Sequence, residues 1–233
     1  MENLNKEIVL KRIVKETSDI YSFVFEKPKD YSWSPGQHTV FRFKELRIPL
    51  AEDEKEHRIF SIASVKEEDE FMFSTRIVET CTNFKKNLLE LKPGDIMLID
   101  KPMGKFLLED LNKPTVLIAG GIGVTPMRAF LKDIQLNKKK VKHIKLLYSD
   151  DRNEFAYEKE LLQIGENIEG VEVLLISNRD KFNSEIDEFA KQYNNHGNYY
   201  ISGSPGMNKM FTEKLINMGV EKSNIKTDSF QGY

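Results

Sequence analysis

TVLIAGGIGVTPM (Thr115–Met127) begins as an unbroken apolar run, passes through three glycines and ends where a helix can start. A strand with no polar alternation belongs in a sheet covered on both faces. Gly120, Gly121 and Gly123 let the backbone turn sharply at the strand's carboxyl end and approach a ligand closely. The helix opening near Thr125-Pro126 aims its free N–H groups at the same spot, which suits a phosphate. The glycine spacing differs from G-x-G-x-x-G. A tight turn with no ligand satisfies the same residues.

Downstream the alternation continues: IKLLYS then FAYEKELLQI, VEVLLIS then SEIDEFAKQY, NYYISGS then PGMNKMFTEKLINMG. Strand–helix alternation predicts an α/β doubly wound five-stranded parallel sheet over residues 113–233, with a last short strand at Asn224–Thr227. A second glycine loop, Ser202-Gly203-Ser204-Pro205-Gly206-Met207, joins another apolar strand to a helix. Ligands of open α/β sheets bind outside the carboxyl ends of the strands, where both loops lie.

Upstream the rhythm differs. EIVLKRIV, IYSFVFEK, HTVFRFK, RIFSIASV and EFMFSTRIVE are short, β-branched or aromatic, and separated by turns such as Ser34-Pro35-Gly36 and Lys92-Pro93-Gly94-Asp95. They predict an antiparallel β-barrel over residues 1–110. A helix is expected at Asn83–Leu91, with Thr82 as N-cap. Along the strand at His57, Arg58 and Phe60 share one face and Ser61 points the other way. A cation beside a flat ring suits a ligand with an anionic part and a flat part; an exposed arginine beside a half-buried phenylalanine is the plainer alternative. The hydroxyl of Thr82 and the helix N–H groups behind it form another anion site, and with Arg58 they suit a diphosphate.

Composition bounds the partners. The chain has 233 residues and a formal net charge of −2, so no basic field invites nucleic acid. The acidic stretches Ala51–Glu56 and Glu67–Glu70 read as solvated loops. Cys81 is the single cysteine, which excludes an internal disulfide and a cysteine-held iron–sulfur cluster. The histidines show no metal-ligand spacing, so no metal site is expected. With no signal-type apolar segment and no run of about 20 apolar residues, no membrane span is expected and a cytoplasmic setting is the default.

In order along the chain, Trp33-x-Pro35-Gly36-Gln37-His38, Arg58-x-Phe60-Ser61, Thr82-Asn83-Phe84, Pro93-Gly94-Asp95, Pro102-x-Gly104-x-Phe106, Gly120–Pro126, Gly203–Met207 and Asp228-x-Phe230 resemble the ferredoxin–NADP reductase-like flavoprotein family. The resemblance covers nearly the whole chain. It implies that Arg58 holds a flavin pyrophosphate, that Phe60 packs on one face of the isoalloxazine, and that Ser61 lies near its N5. Ile59 would border this site, and Thr82 with its neighbours Asn83 and Phe84 would take the other side of the diphosphate. Arg76, Ile77 and Val78 would run past the ribityl and pyrimidine edge. Gly120, Gly121, Gly123, Val124, Thr125 and Pro126 would hold the nicotinamide dinucleotide, with Gly203, Ser204, Pro205 and Met207 beside it. Phe230 is expected over the second flavin face, with Tyr233 as the alternative. Ser61, Ser202 and Phe230 are the expected catalytic residues.

The resemblance implies FAD, favoured over FMN by the pairing of Arg58 with Thr82, together with NADP(H) or NAD(H). It also implies hydride transfer to the flavin and delivery of electrons to a separate carrier: a ferredoxin, a flavodoxin, or an oxygenase or reductase component. Three departures stand out: Ser202 replaces a common cysteine, Thr80 replaces a glycine, and the chain continues Gln231-Gly232-Tyr233 past Phe230. Ser177 and Arg179, helped by Arg152, could receive a 2′-phosphate, though Asp180 adjoins them; the balance leans narrowly to NADP. A redox-silent flavin or nucleotide sensor, or a regulatory component, is the alternative function. The oligomeric state is not readable.

Overall fold

The computed structural model describes residues 5–230. They form two compact units, with the boundary between Leu107 and Leu108.

Unit 1 is a six-stranded antiparallel sheet. Its strands are β1 (Lys6–Lys15), β2 (Ile20–Glu26), β3 (His38–Phe43), β4 (His57–Ser61), β5 (Glu70–Arg76) and β6 (Ile96–Ile99), in the order β4-β3-β6-β1-β2-β5. The expected barrel is present but not sealed by a ladder. Its two edge strands meet at one bridge just past β4, Ile62 to Phe73, and the Ala63 N–H donates to the Met72 carbonyl at 2.7 Å. The interior holds Phe23, Phe25, Trp33, Phe41, Phe71 and Phe73, all buried. Strand β6 is an addition to the sequence-based expectation. It is four residues long, between a Pro-Gly turn and Pro102, too short for an alternation to register.

Helix α1 (Asn83–Glu90) ends one residue before its expected limit. It lies on the same core through buried Phe84 and Leu88.

Unit 2 is the expected parallel sheet. Its strands are β7 (Thr115–Gly120), β8 (Ile144–Ser149), β9 (Val171–Ile176), β10 (Asn198–Gly203) and β11 (Ile225–Ser229), in the order β11-β10-β7-β8-β9. The helices are α2 (Val124–Leu136), α3 (Glu158–Asn167), α4 (Arg179–Tyr193) and α5 (Pro205–Asn217). Val116 and Ile118 face a core shared with α4 and α5, while Leu117 and Ala119, equally buried, face the other side. This double coverage explains the unbroken apolar strands.

Two helix starts differ from expectation. Phe155-Ala156-Tyr157 is not helical: Tyr157 sits at φ 61°, and α3 begins after it. Helix α4 begins at Arg179 rather than Ser184, because the Asn178 side chain accepts from the Lys181 N–H and caps it.

Candidate functional site

In unit 1 the expected residues converge on the start of α1. The Phe60 ring lies parallel to Phe73 at 4.6 Å, and its half-buried position leaves part of the ring clear of the core. The Arg58 guanidinium stacks over the Phe84 ring at 4.8 Å. Ser61 is buried, whereas Ile59 is 56% exposed and points away. Thr82 caps the helix as expected, its Oγ1 accepting from the Lys85 N–H at 3.3 Å.

The helix start carries more cation than the sequence indicated. Lys85, one turn in, has its ammonium held below the usual lysine range, first by burial. Arg58 and Arg76 push the same way and Cys81 opposes them, so three cations crowd this corner. Arg76 is anchored by Asp19 at 3.3 Å, and the Ile77 N–H donates to the Asp19 carbonyl at 2.7 Å. Val78 is 40% exposed. A guanidinium, an ammonium and a helix N-terminus form a donor set matched to a diphosphate, with a flat ring beside it.

One residue here was not foreseen. Glu54 turns in from the acidic loop, and its carboxylate accepts from the Asn83 N–H at 2.7 Å and the Phe84 N–H at 3.0 Å. The stretch Ala51–Glu56 is therefore not wholly solvated. Nor is Glu67–Glu70: Glu68 accepts from the Val65 N–H, and Glu70 pairs with Lys11 and Arg12.

In unit 2 the two glycine loops sit side by side because β7 and β10 are neighbours. The chain leaves these strands in opposite directions across the sheet, so this is the topological switch point. The glycines are needed for packing. A Cβ on Gly123 would stand 2.1 Å from the Ser202 carbonyl oxygen. Cβ atoms on Gly120 and Gly203 would stand 2.4 and 2.6 Å from the Met207 Sδ, so the thioether lies against both.

Val124, Thr125 and Pro126 are buried, and the Thr125 hydroxyl donates to the Ile122 carbonyl at 2.8 Å. Only backbone from this turn is left to meet a ligand. Ser204 caps α5, its Oγ accepting from the Met207 N–H at 3.2 Å, and Pro205 is the first helical residue. The Ser202 Oγ is buried with no hydrogen-bond partner among the described residues, an orphan a ligand group would satisfy. The Phe230 N–H donates to the Gly203 carbonyl at 3.0 Å, which fixes this aromatic to the same loop. Tyr233 lies outside the described residues. Asn208, also unforeseen, ties α5 to β11 by donating to the Asp228 carbonyl at 2.7 Å.

At the carboxyl ends of β8 and β9 the expected selector residues are present, but their charges are matched. Arg179 pairs with Asp151, its Nε at 3.1 Å. Arg152 lies 3.3 Å from buried Asp150. Ser177 and Asp180 are exposed.

Comparison with known proteins bears on the sequence and the fold. Residues 117–213 match the oxidoreductase NAD-binding domain family. The chain is 28% identical to a component of the Na(+)-translocating NADH-quinone reductase of Idiomarina loihiensis over 88% of its length, spanning 57% of that protein. It is 24% identical to flavohemoprotein A of Dictyostelium discoideum over 97% of its length, spanning 60% of that protein. Its fold matches a ferredoxin NADP+ reductase from Neisseria gonorrhoeae, solved with bound FAD and NADP, at a TM-score of 0.81 and 18% identity, covering 98% of this chain and 99% of that one.

Proposed function

We propose that this chain is a flavin-dependent NAD(P)H oxidoreductase of the ferredoxin–NADP reductase-like kind that passes electrons to a separate one-electron carrier protein. The observation that carries this reading is the corner of unit 1 where Arg58 and Lys85 meet the N-terminus of α1 beside the Phe60 ring. FAD, once bound, supplies the conversion of a hydride donor's two electrons into single-electron steps.

The chain's own residues bind and orient. Arg58, Lys85 and the α1 N–H groups hold the diphosphate. Phe60, backed by Phe73, offers a flat surface to the ring system, and Ser61 lines its reactive edge. In unit 2 the Gly120–Gly123 backbone takes the nucleotide phosphates, and the Ser202 hydroxyl offers a bond to the nicotinamide end. Phe230, tied by its N–H to the Gly203 carbonyl, offers an aromatic ring beside the same loop.

A specific observation favours NADH over NADPH, against the narrow lean of the sequence. At the carboxyl ends of β8 and β9 both arginines are engaged by carboxylates, Arg179 by Asp151 and Arg152 by Asp150, and a further acid, Asp180, adjoins Arg179 in the sequence. A 2′-hydroxyl suits that balance better than a 2′-phosphate.

The test is anaerobic. NADH added to the flavin-loaded protein should bleach the yellow absorbance within the mixing time of a cuvette. A stable spectrum with nucleotide bound would mean a redox-silent sensor instead. Arg58→Ala should stay folded but bind FAD roughly 10- to 100-fold more weakly, as loss of a charge-assisted hydrogen bond implies. Unchanged affinity would remove the flavin from this corner.

A further inference from the structure

Glu54 places an anion where the diphosphate is proposed to sit. Its two carboxylate oxygens accept from the Asn83 and Phe84 N–H groups at 2.7 and 3.0 Å. The loop carrying it, which runs from β3 to β4, also engages the other expected phosphate ligand: Arg58 donates to the Lys55 carbonyl at 2.7 Å. One short segment therefore meets both halves of the donor set.

The same loop is anchored differently at its base. Asn87 is buried, its Oδ1 accepts from the Arg47 and Ile48 N–H groups at 2.9 Å each, and its Nδ2 donates to the Ile48 carbonyl at 2.8 Å. Asn83 Nδ2 donates to the Pro49 carbonyl at 2.9 Å. Leu50 packs against the barrel core. Ala51, Glu52 and Asp53, by contrast, are exposed. The root of the strap is held by amides and apolar contact. Its tip is held by ion–dipole contacts that an incoming anion can replace.

We propose that Glu54 is an internal competitor for the flavin diphosphate: its carboxylate is exchanged for phosphate on binding, and it thereby sets the flavin's affinity. The inference rests on the reading of this corner as the diphosphate site. It makes Glu54 a determinant that weakens binding, opposite in sign to Arg58. The exchange keeps the helix N–H groups and the Arg58 guanidinium paired in both states. It releases Ala51–Glu56, whose like charges are repelled by the arriving phosphates.

The experiment measures dissociation constants of the full chain for FAD, ADP and riboflavin. FAD and riboflavin are followed by flavin fluorescence, ADP by competition. Glu54→Gln should tighten FAD and ADP about tenfold and leave riboflavin, which has no phosphate, unchanged. Asp53→Asn, the same charge change one residue away, should do neither. If both variants tighten binding equally, the effect is diffuse charge and the inference falls. If Glu54→Gln leaves FAD unchanged or weaker while Arg58→Ala still loses it, the inference falls and the diphosphate site stands. If neither variant matters, the site itself is wrong. A measurement on the unaltered chain guards against misfolded variants. On adding ADP, hydrogen exchange across Ala51–Glu56 should rise as the tip leaves the helix; exchange that falls or stays constant overturns the proposal.

Discussion

At the start of α1 the helix N–H groups meet a carboxylate, Glu54; at the carboxyl end of β7 the space between Gly120 and Gly203 is filled by a thioether, Met207. The first region is built from charged side chains and held by charge. The second is built from backbone, where Gly120, Gly123 and Gly203 mark close approaches. The contacts of the first are ionic and hydrogen-bonded. Those of the second are steric, between backbone and a flexible, uncharged side chain. The first should therefore respond to charge substitutions and the second to volume.

Gly123→Ala gives the largest expected effect. The new Cβ meets the Ser202 carbonyl, which is backbone and cannot swing aside. The cost should be of order 1–3 kcal/mol, typical of overpacking, with nucleotide binding lost. Gly120→Ala meets only the end of the flexible Met207 side chain and should cost distinctly less. Thermal denaturation of both variants checks this; equal losses would mean that Met207 is as rigid as backbone.

Lys85→Met tests the charged region. It keeps the length of the side chain and removes the ammonium. FAD affinity should fall several-fold to about tenfold, within the range for a single charge-assisted contact. NADH affinity should not move. Parallel titrations with the two ligands check both halves, and a loss of NADH binding would break the division of labour.

A smaller effect is expected at the nucleotide selector. Asp151→Asn leaves Arg179 without its carboxylate partner. The ratio of kcat/KM for NADPH over NADH should rise several-fold, and Arg179→Ala should abolish that gain. A ratio that stays flat would place the selector elsewhere.

The smallest effect is in acid. Its hydrogen bond with Arg12, aided by Lys11, holds the Glu70 carboxyl down at about 2, against an ordinary 4.5. The ionised form therefore stabilises unit 1 above the ordinary value, and that support is lost as pH falls through about 2. Glu70→Gln should flatten the acid limb of unit 1 unfolding slightly, since exposed pairs contribute little. Trp33, the single tryptophan, is buried in unit 1 and reports it selectively by fluorescence.

How far the sequence can be read follows from the range of the forces involved. Strands β1 to β5 and β7 to β10 announce themselves locally, by alternation or by unbroken apolar runs. The glycine loops are equally visible as loops. Why the glycines are needed is not, because Met207 and Ser202 approach them from other elements. Glu54 is hidden by its company: in Ala51–Glu56 it is one acid among four, and only the fold brings α1 to it from 29 residues along the chain. Lys85 leaves a faint trace, a cation three positions after a capping threonine. Arg179 reads as a loop residue until Asn178 is recognised as a cap, a signal that the apolar pattern of the following helix does not reinforce.

The order β11-β10-β7-β8-β9 also has a consequence for how the molecule is born. Glu54, Arg58, Thr82 and Lys85 of the α1 corner, and the residues that anchor them, all lie inside a unit whose last strand is β6. The cleft of unit 2 cannot exist until β10 has emerged from the ribosome and docked beside β7, the strand made first in that unit. Such non-local pairing is slow, and domains fold as they are synthesised, from the N-terminal side. The nascent chain therefore completes the α1 corner while the strand that will carry Ser202 and Gly203 is still being translated.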